Sequence, residues 1–201
     1  RHTRFRNVTG VQTCALPISQ LLADWLTIRE NFGKNISGRK FSYLGDGNNM
    51  SHAWLIMGAI MGAHVVAATP PGKWAPSDVA IETAKKIASK TGARIEVTTD
   101  ARAAAIDASV IYTDVWMSMG DPESERNEKI AALSQFAVTP DLMSLTTKDS
   151  IFMHCLPAHR GEEVSAEVLD GPKSVVWREA LHRRTTIQAL LYHLVRGELK
   201  G

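Results

Sequence analysis

The chain has 201 residues, of which 44% are hydrophobic and 22% are charged, and its formal net charge is +2. These values are typical of a globular protein, and so small a positive charge gives no indication of a nucleic-acid partner. The apolar stretches are shorter than the roughly 20 residues that a membrane span needs, so we expect no membrane association either.

The cysteines give information about the cellular compartment and about metals. Cys14 and Cys155 are the two cysteines of the chain, and they lie too far apart in sequence to indicate a disulfide framework. Neither belongs to a Cys-x-x-Cys pair, so the sequence predicts no metal site. A reducing, cytoplasmic location fits this pattern best.

Residues 1–19 differ in composition from the rest of the chain. They contain Arg1, Arg4 and Arg6, several threonines and no acidic residue, a composition that an organelle-targeting peptide can have. The segment lacks an amphipathic period, however, and residues 7–18 resemble a translated sequencing adaptor. We therefore expect residues 1–19 to be a non-native or disordered leader.

From Gln20 onward, helical and β-rich runs alternate. Apolar residues at helical spacing predict a helix over 20–32, ended by Gly33. Further helices are predicted over 48–61, from a cap at Ser77 or Asp78 to residue 90, after a cap at Asp100, and from 179 to about 196. Six strands are predicted, at 41–45, 64–69, 94–98, 109–115, 150–155 and 174–177.

Strands separated by helices of this length pair in parallel through right-handed crossovers. The sequence therefore predicts an α/β fold with a doubly wound, mainly parallel sheet and helices on both faces. Ligands of such sheets bind at the carboxyl ends of the strands. Three polar clusters fall there, at residues 45–49, 114–120 and 154–161.

The first cluster, Gly-Asp-Gly-Asn-Asn, raises the question of a nicotinamide cofactor. The dinucleotide fingerprint needs a third glycine where this chain has Met50, and an acidic residue after the second strand, where the chain reads Ala-Ala-Thr-Pro. Both supporting features are missing, so we expect no cofactor. The adjacent amides of Asn48 and Asn49 can cap the following helix, bind a ligand, or do both.

The other two clusters also allow two interpretations each. Asp114 can cap the next turn or bind a substrate ammonium group. Residues 116–126, rich in Gly, Pro and charge, predict a long loop of the kind that closes over a substrate. Cys155 can be a small buried hydrophobic residue or a polarisable group beside a substrate amine, and His154 can be a hydrogen-bonded core residue.

Taken together and in this order, the three clusters resemble the second domain of the ornithine carbamoyltransferase family. Residues 45–49 match one of its motifs, residues 114–120 (Asp-x-Trp-x-Ser-Met-Gly) a second, and residues 154–161 (His-Cys-Leu-Pro-Ala-His-Arg-Gly) a third. The resemblance covers residues 20 to about 196. It implies a Rossmann-like domain at 37–177, an interdomain helix at 20–36, and a C-terminal helix at 178–201 that packs back on a preceding domain.

The resemblance also implies a reaction, the transfer of a carbamoyl group from carbamoyl phosphate to the side-chain amine of L-ornithine. Ornithine would be bound by four residues: Asn49, Asp114, Ser118 and Met119. Carbamoyl phosphate would be bound by four others: Gln20, Cys155, Leu156 and Arg183. Asp114 and Cys155 would be the catalytic residues, and no metal or cofactor is implied.

Some features depart from the family pattern. The family's phosphate-binding Ser-x-Arg-Thr loop has no match in this sequence, only Gln20 remains of its His-Pro-x-Gln motif, and Leu181-His182 stands where the family usually has Glu-Asn. We therefore expect the 201-residue chain to be an inactive part of an enzyme that is a homotrimer or larger, with assembly of the part itself in doubt. The alternatives are a relative acting on putrescine or acetylornithine, a non-catalytic amino-acid-binding domain, and a dehydrogenase.

Overall fold

A single parallel sheet forms the centre of the fold in the computed structural model, which describes residues 19–36, 38–117 and 122–197. Its strands are β1 (Lys40–Leu44), β2 (His64–Ala68), β3 (Arg94–Thr98), β4 (Ala108–Thr113) and β5 (Ile151–His154). Their spatial order is β3-β2-β1-β4-β5, and every neighbouring pair is parallel.

Helices connect and follow the strands. Residues 19–32 form helix α1. The others are α2 (Asn49–Ile60), α3 (Asp78–Thr91), α4 (Ala101–Ala105), α5 (Arg126–Leu133), α6 (Pro140–Met143), α7 (Ala166–Leu169) and α8 (Val176–Val195). None of the helices within the described ranges is long and apolar enough to cross a membrane.

The helices cover both faces of the sheet, as predicted. Side chains that alternate along each strand enter two separate apolar clusters. Phe41 and Tyr43 of β1 pack against α1, α2 and α3, whereas Leu44 packs against the helices of the opposite face. The predicted doubly wound α/β fold is therefore confirmed.

Several predicted helix starts are also confirmed. Asn48 caps α2, Ser77 caps α3 through Ala80 N, and Asp100 caps α4 through Ala103 N. Each side-chain oxygen accepts a backbone N–H that would otherwise lack a partner in the first turn of the helix.

The predicted sixth strand at 174–177 is wrong. Ser174 makes one isolated parallel bridge with Phe152, and α8 already begins at Val176, three residues before the predicted start. The β-branched and aromatic residues there favour a strand, but Glu179 N donates to Val175 O and Val176 is fully buried. Tertiary packing thus outweighs the local strand preference.

The predicted loop over 116–126 is only partly described. Residues 118–121 lie outside the described ranges. Trp116 is 2% exposed and belongs to the core, so its side chain is not available to close over a substrate. The segment ends in a short 3₁₀ turn, Glu123–Glu125, that leads into α5.

Candidate functional site

Polar side chains gather where β1, β4 and β5 end. From β1 the chain continues outward through β2 and β3, and it then returns to the other side of β1 as β4 and β5. Such a reversal of strand order opens a crevice at the carboxyl ends of the two strands on either side of it. Asn48 follows β1 and Asp114 follows β4, so these two residues lie on opposite sides of the crevice.

Asn48 uses its amide for two purposes. Its Oδ1 accepts hydrogen bonds from Met50 N at 2.8 Å and Ser51 N at 3.3 Å, which caps α2. Its Nδ2 donates to Asp114 Oδ2 at 3.0 Å. One rigid side chain therefore fixes the distance between the start of α2 and the carboxylate.

The local structure explains the two glycines that precede Asn48, Gly45 and Gly47. Gly47 N donates to Trp74 O at 2.8 Å, and a Cβ on Gly47 would lie 2.1 Å from the carbonyl carbon of Ala75. Next to it, Asp46 forms a buried ion pair with Lys129 of α5, at 2.7 Å. The approach of the neighbouring loop thus explains the glycine at position 47, whereas Gly45 has a φ of 140°, which favours glycine.

The Asp114 carboxylate is 6% exposed and accepts three hydrogen bonds. Oδ1 accepts from Val115 N at 2.7 Å and from Cys155 Sγ at 3.0 Å, and Oδ2 accepts from Asn48. These donors hold the carboxylate in one orientation at the end of β4. Each oxygen retains acceptor capacity on its open side, which suits a cationic group.

Cys155 follows β5 and acts as a donor. Burial raises the pKa of its thiol well above the usual value, and the adjacent Asp114 charge raises it further. The thiol is therefore neutral at physiological pH and donates to Asp114, so it is no thiolate nucleophile. The two interpretations of Cys155 are compatible, because its sulfur is largely enclosed and still faces the carboxylate.

The backbone beside Cys155 is held in an unusual conformation. Leu156 has a φ of 56°, in the left-handed region that costs an L-residue roughly 1–2 kcal/mol. Leu156 N donates to His154 Nδ1 at 2.8 Å, so the neutral ring carries its proton on Nε2. His154 is 1% exposed, and the expectation of a hydrogen-bonded core histidine is confirmed.

A second polar cluster lies between α1 and α8. Gln20 Nε2 donates to Asp24 Oδ1 at 2.7 Å and to Glu179 Oε1 at 3.0 Å. Glu179 Oε2 accepts from His154 N at 3.1 Å, which connects this cluster to β5. Gln20, Asp24 and Glu179 are all buried.

Burial of two neighbouring acids forces a proton onto the pair. Burial raises the pKa of Asp24 to about 7, against weaker opposing effects of Gln20 and other neighbours. Burial also raises the pKa of Glu179 well above its usual value, with the Asp24 charge as the next cause. The two carboxyl groups therefore share a proton around neutral pH.

Arg183, on the next turn of α8, lies close enough to this pair for its charge to lower the pKa of both acids. Within the described part of the chain its guanidinium makes no hydrogen bond or ion pair. Gln20 and Arg183 are both predicted to bind carbamoyl phosphate. They come from opposite ends of the sequence, and the fold places both near the Asp24–Glu179 pair. His182, at the departure from the family pattern, packs on α1, and its Nδ1 lies 2.7 Å from Thr27 Oγ1.

The remaining predicted residues are less closely joined to Asp114. Asn49 is exposed and lines a largely apolar recess of about 420 Å³ together with Leu21 and residues of α2. Its side chain does not take part in the hydrogen bonds around Asp114. Ser118 and Met119 lie outside the described residues, so their roles stay predictions.

Asp24 and Glu179 were not among the site residues predicted from the sequence. A signal was available for Asp24, which interrupts the apolar face that predicts α1 and comes one turn after Gln20. An acid on a buried helix face needs a partner, and here it finds one 155 residues later in α8.

Comparison with known proteins shows the family to which the chain is related. The family model of the Asp/Orn binding domain of aspartate/ornithine carbamoyltransferase matches residues 37–194. The catabolic ornithine carbamoyltransferase of Thermoplasma volcanium is 47% identical over 176 residues, covering 88% of this chain and 57% of that protein. The ornithine carbamoyltransferase of Methanoculleus marisnigri is 42% identical over 196 residues, covering 96% and 61%.

A solved structure shows the same fold. The ornithine carbamoyltransferase from Pyrococcus furiosus superimposes with a TM-score of 0.83 at 46% identity, covering 90% of this chain and 57% of that one. The chain thus spans less than two thirds of the length of these relatives. The predicted resemblance is confirmed, and the chain belongs to the aspartate/ornithine carbamoyltransferase family.

Proposed function

We propose that this chain supplies the amino-acid-binding part of an ornithine carbamoyltransferase. The whole enzyme would transfer the carbamoyl group of carbamoyl phosphate to the side-chain amine of L-ornithine, giving L-citrulline and phosphate. The observation that carries the proposal is the Asp114 carboxylate, held by Asn48, Val115 and Cys155 at the crevice between β1 and β4. The relatives named above, all ornithine carbamoyltransferases, support it.

In this proposal Asp114 binds the α-ammonium group of ornithine. A buried carboxylate whose orientation is fixed by three donors loses little conformational freedom on binding, so it is well suited to this role. Asn49, Ser118 and Met119 would bind the amino-acid end of the substrate. Cys155, as a neutral thiol, would lie beside the reacting amine without adding a negative charge of its own.

The carbamoyl phosphate side would use Gln20, Leu156 and Arg183. Both hydrogens of the Gln20 amide are donated to Asp24 and Glu179, which leaves its Oε1 as the acceptor for an N–H of the carbamoyl amide. The Leu156 carbonyl, held by the left-handed backbone, would accept from the same amide group. The guanidinium of Arg183 would attract the phosphate.

The chemistry requires a neutral amine. Its lone pair attacks the carbamoyl carbon, the new C–N bond forms, the C–O bond to phosphate breaks, and the amine passes one proton to the departing phosphate. A desolvated site beside the Arg183 cation lowers the pKa of the substrate amine and so favours its neutral form. Alignment of two bound substrates supplies much of the rate without a covalent enzyme intermediate.

Substrates without a free α-ammonium group are the rivals to ornithine. Acetylornithine lacks that charge, and putrescine lacks the amino-acid end altogether. The carboxylate of Asp114 favours ornithine over acetylornithine, because an amide presents no cation for it to pair with. Assembly as a homotrimer or larger stays a prediction from the resemblance, and a cytoplasmic location stays a prediction from the cysteine pattern.

Calorimetric titration of the chain with L-ornithine, putrescine and acetylornithine tests the proposal. We expect saturable binding of ornithine and at least tenfold weaker binding of the other two. Asp114→Asn should weaken ornithine binding by about 10- to 100-fold, the equivalent of one hydrogen-bonded charge pair. Asp170→Asn, which removes an exposed carboxylate paired with Arg160, is the matched control. Equal affinity of Asp114→Asn and the unmodified chain would refute the proposal.

A further inference from the structure

The turn that follows the loop after β5 brings three potential metal ligands together. One ring nitrogen of His159 and one carboxylate oxygen each of Glu162 and Glu163 lie within 4.8 Å of one another. The Glu163 side chain is completely buried, that of Glu162 is 26% exposed and that of His159 is 51% exposed. The cluster is therefore buried at Glu163 and open to solvent at His159.

Hydrogen bonds to Glu163 fall entirely on one of its oxygens. Oε1 accepts from His159 N at 2.5 Å and from His154 Nε2 at 3.3 Å, the nitrogen that carries the ring proton. Oε2 is buried and has no hydrogen-bond partner. His159 Nδ1 lies 3.9 Å from it.

Glu162 has the same division between its two oxygens. Its Oε1 is paired with the guanidinium of Arg126, from α5. Its Oε2 is buried and lacks a hydrogen-bond partner, like that of Glu163. The two adjacent carboxylates of the cluster therefore each have one buried oxygen without a hydrogen-bond partner.

Bare buried carboxylate oxygens are costly, because they have lost water without gaining a donor. Arg126 is paired with Glu162, whereas Arg160 of the same turn is paired with Asp170, so neither guanidinium is paired with Glu163. The donors bind the Oε1 atoms and leave both Oε2 atoms without one, and Glu163 Oε2 lies 3.9 Å from His159 Nδ1. A cation between these three atoms would offset the cost, and a neutral imidazole nitrogen is a suitable third ligand.

We propose that His159 Nδ1, Glu162 Oε2 and Glu163 Oε2 bind a divalent transition-metal ion of the Zn²⁺, Co²⁺ and Mn²⁺ class. A mixed imidazole and carboxylate ligand set favours these ions over Mg²⁺ or Ca²⁺, which prefer oxygen alone. Three protein ligands leave a further position for water. The cysteine spacing predicted no metal site, and this ligand set contains no cysteine.

The geometry requires only a local adjustment. Ligands about 2.1 Å from a tetrahedral ion lie about 3.4 Å apart, so the three atoms must move inward by about 1 Å. The half-exposed His159 ring can make most of that movement by rotation. His154 and His159 N, bound to the other oxygen of Glu163, then act as outer partners that hold the ligand in place.

The ion would fasten residues 159–163 to one another immediately beyond Cys155 and Leu156. Its binding does not depend on carbamoyl transfer, so the two proposals can fail separately. The same loop links both sites. An ion that binds the folded chain should raise its thermal stability.

Titration of the chain with MnCl₂, followed by the electron paramagnetic resonance of free Mn²⁺, tests the proposal directly. We expect one saturable site per chain. Binding should be at least about tenfold weaker in His159→Ala and in Glu162→Gln, because removal of even an outer group that hydrogen-bonds to a metal ligand weakens metal affinity by that factor. CoCl₂ should give visible ligand-field bands without a sulfur-to-cobalt charge-transfer band. MnCl₂ should raise the Tm of the unmodified chain but not that of His159→Ala.

Two variants serve as controls. His64→Ala removes an imidazole that lies 2.7 Å from a single carboxylate, Glu96, and it should bind Mn²⁺ as the unmodified chain does. Cys155→Ser should also retain binding, which excludes the thiol as the ligand. Absence of saturable Mn²⁺ and Co²⁺ binding, equal affinity in His159→Ala and Glu162→Gln, or loss of binding in Cys155→Ser would each overturn the proposal.

Discussion

Replacement of Asp24 by Asn should change how the stability of the chain depends on pH. Burial raises the pKa of Asp24 from 3.8 to about 7. The folded chain therefore keeps this proton at pH values where the unfolded chain has released it. Because the folded state binds more protons between these two values, its stability falls as the pH rises through that window.

The size of the effect follows from the pKa shift. Each pH unit within the window costs about 1.4 kcal/mol, so the carboxyl group of Asp24 should lower the stability by about 3 kcal/mol between pH 5 and pH 7. An Asn side chain can still accept from Gln20 through Oδ1. Its Nδ2 then presents a permanent hydrogen in place of the shared proton, and this pH dependence disappears.

Urea unfolding followed by tryptophan fluorescence at pH 5, 6, 7 and 8 provides the assay. The difference in stability between Asp24→Asn and the unmodified chain should shift in favour of the variant by about 3 kcal/mol from pH 5 to pH 7. Asp149→Asn is the control, since the Thr147 hydroxyl and Arg39 lower the pKa of that exposed carboxylate and keep it outside this range. Parallel pH profiles of Asp24→Asn and the unmodified chain would show that the pair does not share a proton.

Two further changes test other parts of the site. Gly47→Ala should destabilise the chain by about 1–3 kcal/mol in urea unfolding, because the new Cβ would lie 2.1 Å from the Ala75 carbonyl carbon; an unchanged midpoint would contradict the close approach. Cys155 should react with iodoacetamide more slowly than a free cysteine peptide at pH 8, since burial and then Asp114 raise its pKa. Asp114→Asn should accelerate that reaction, measured at Cys155 by peptide mass spectrometry, and a rate no faster than that of the unmodified chain would count against the contact.

The fold could be predicted largely from local patterns. The five strands were located to within about two residues, because buried parallel strands read as short apolar runs between turn residues. The short helices α5, α6 and α7 were not predicted, since segments of four to eight residues carry too few turns to show a period. The false strand at 174–177 arose from the same limitation, because strand preference is weak evidence over so few residues.

The parts of the site that lie at strand ends could be predicted from the sequence. The contacts between residues far apart in the sequence could not. Asp114 and Cys155 follow adjacent strands, so the rule for parallel sheets places them together. The contact between Gln20 and Glu179 spans 159 positions, and no local pattern predicts it. Likewise, the bare oxygens of Glu162 and Glu163 result from the placement of donors, which the order of residues does not reveal.

The double use of the Asn48 amide restricts what that position can tolerate. Aspartate has the same shape and caps a helix as well as asparagine does, yet it would place a second carboxylate 3.0 Å from Asp114. Serine and threonine also cap helices but are too short to reach that far. Asparagine converts slowly to aspartate by loss of ammonia. Deamidation of Asn48 would therefore replace its hydrogen bond to Asp114 by repulsion between two carboxylates, while the cap of the helix would remain.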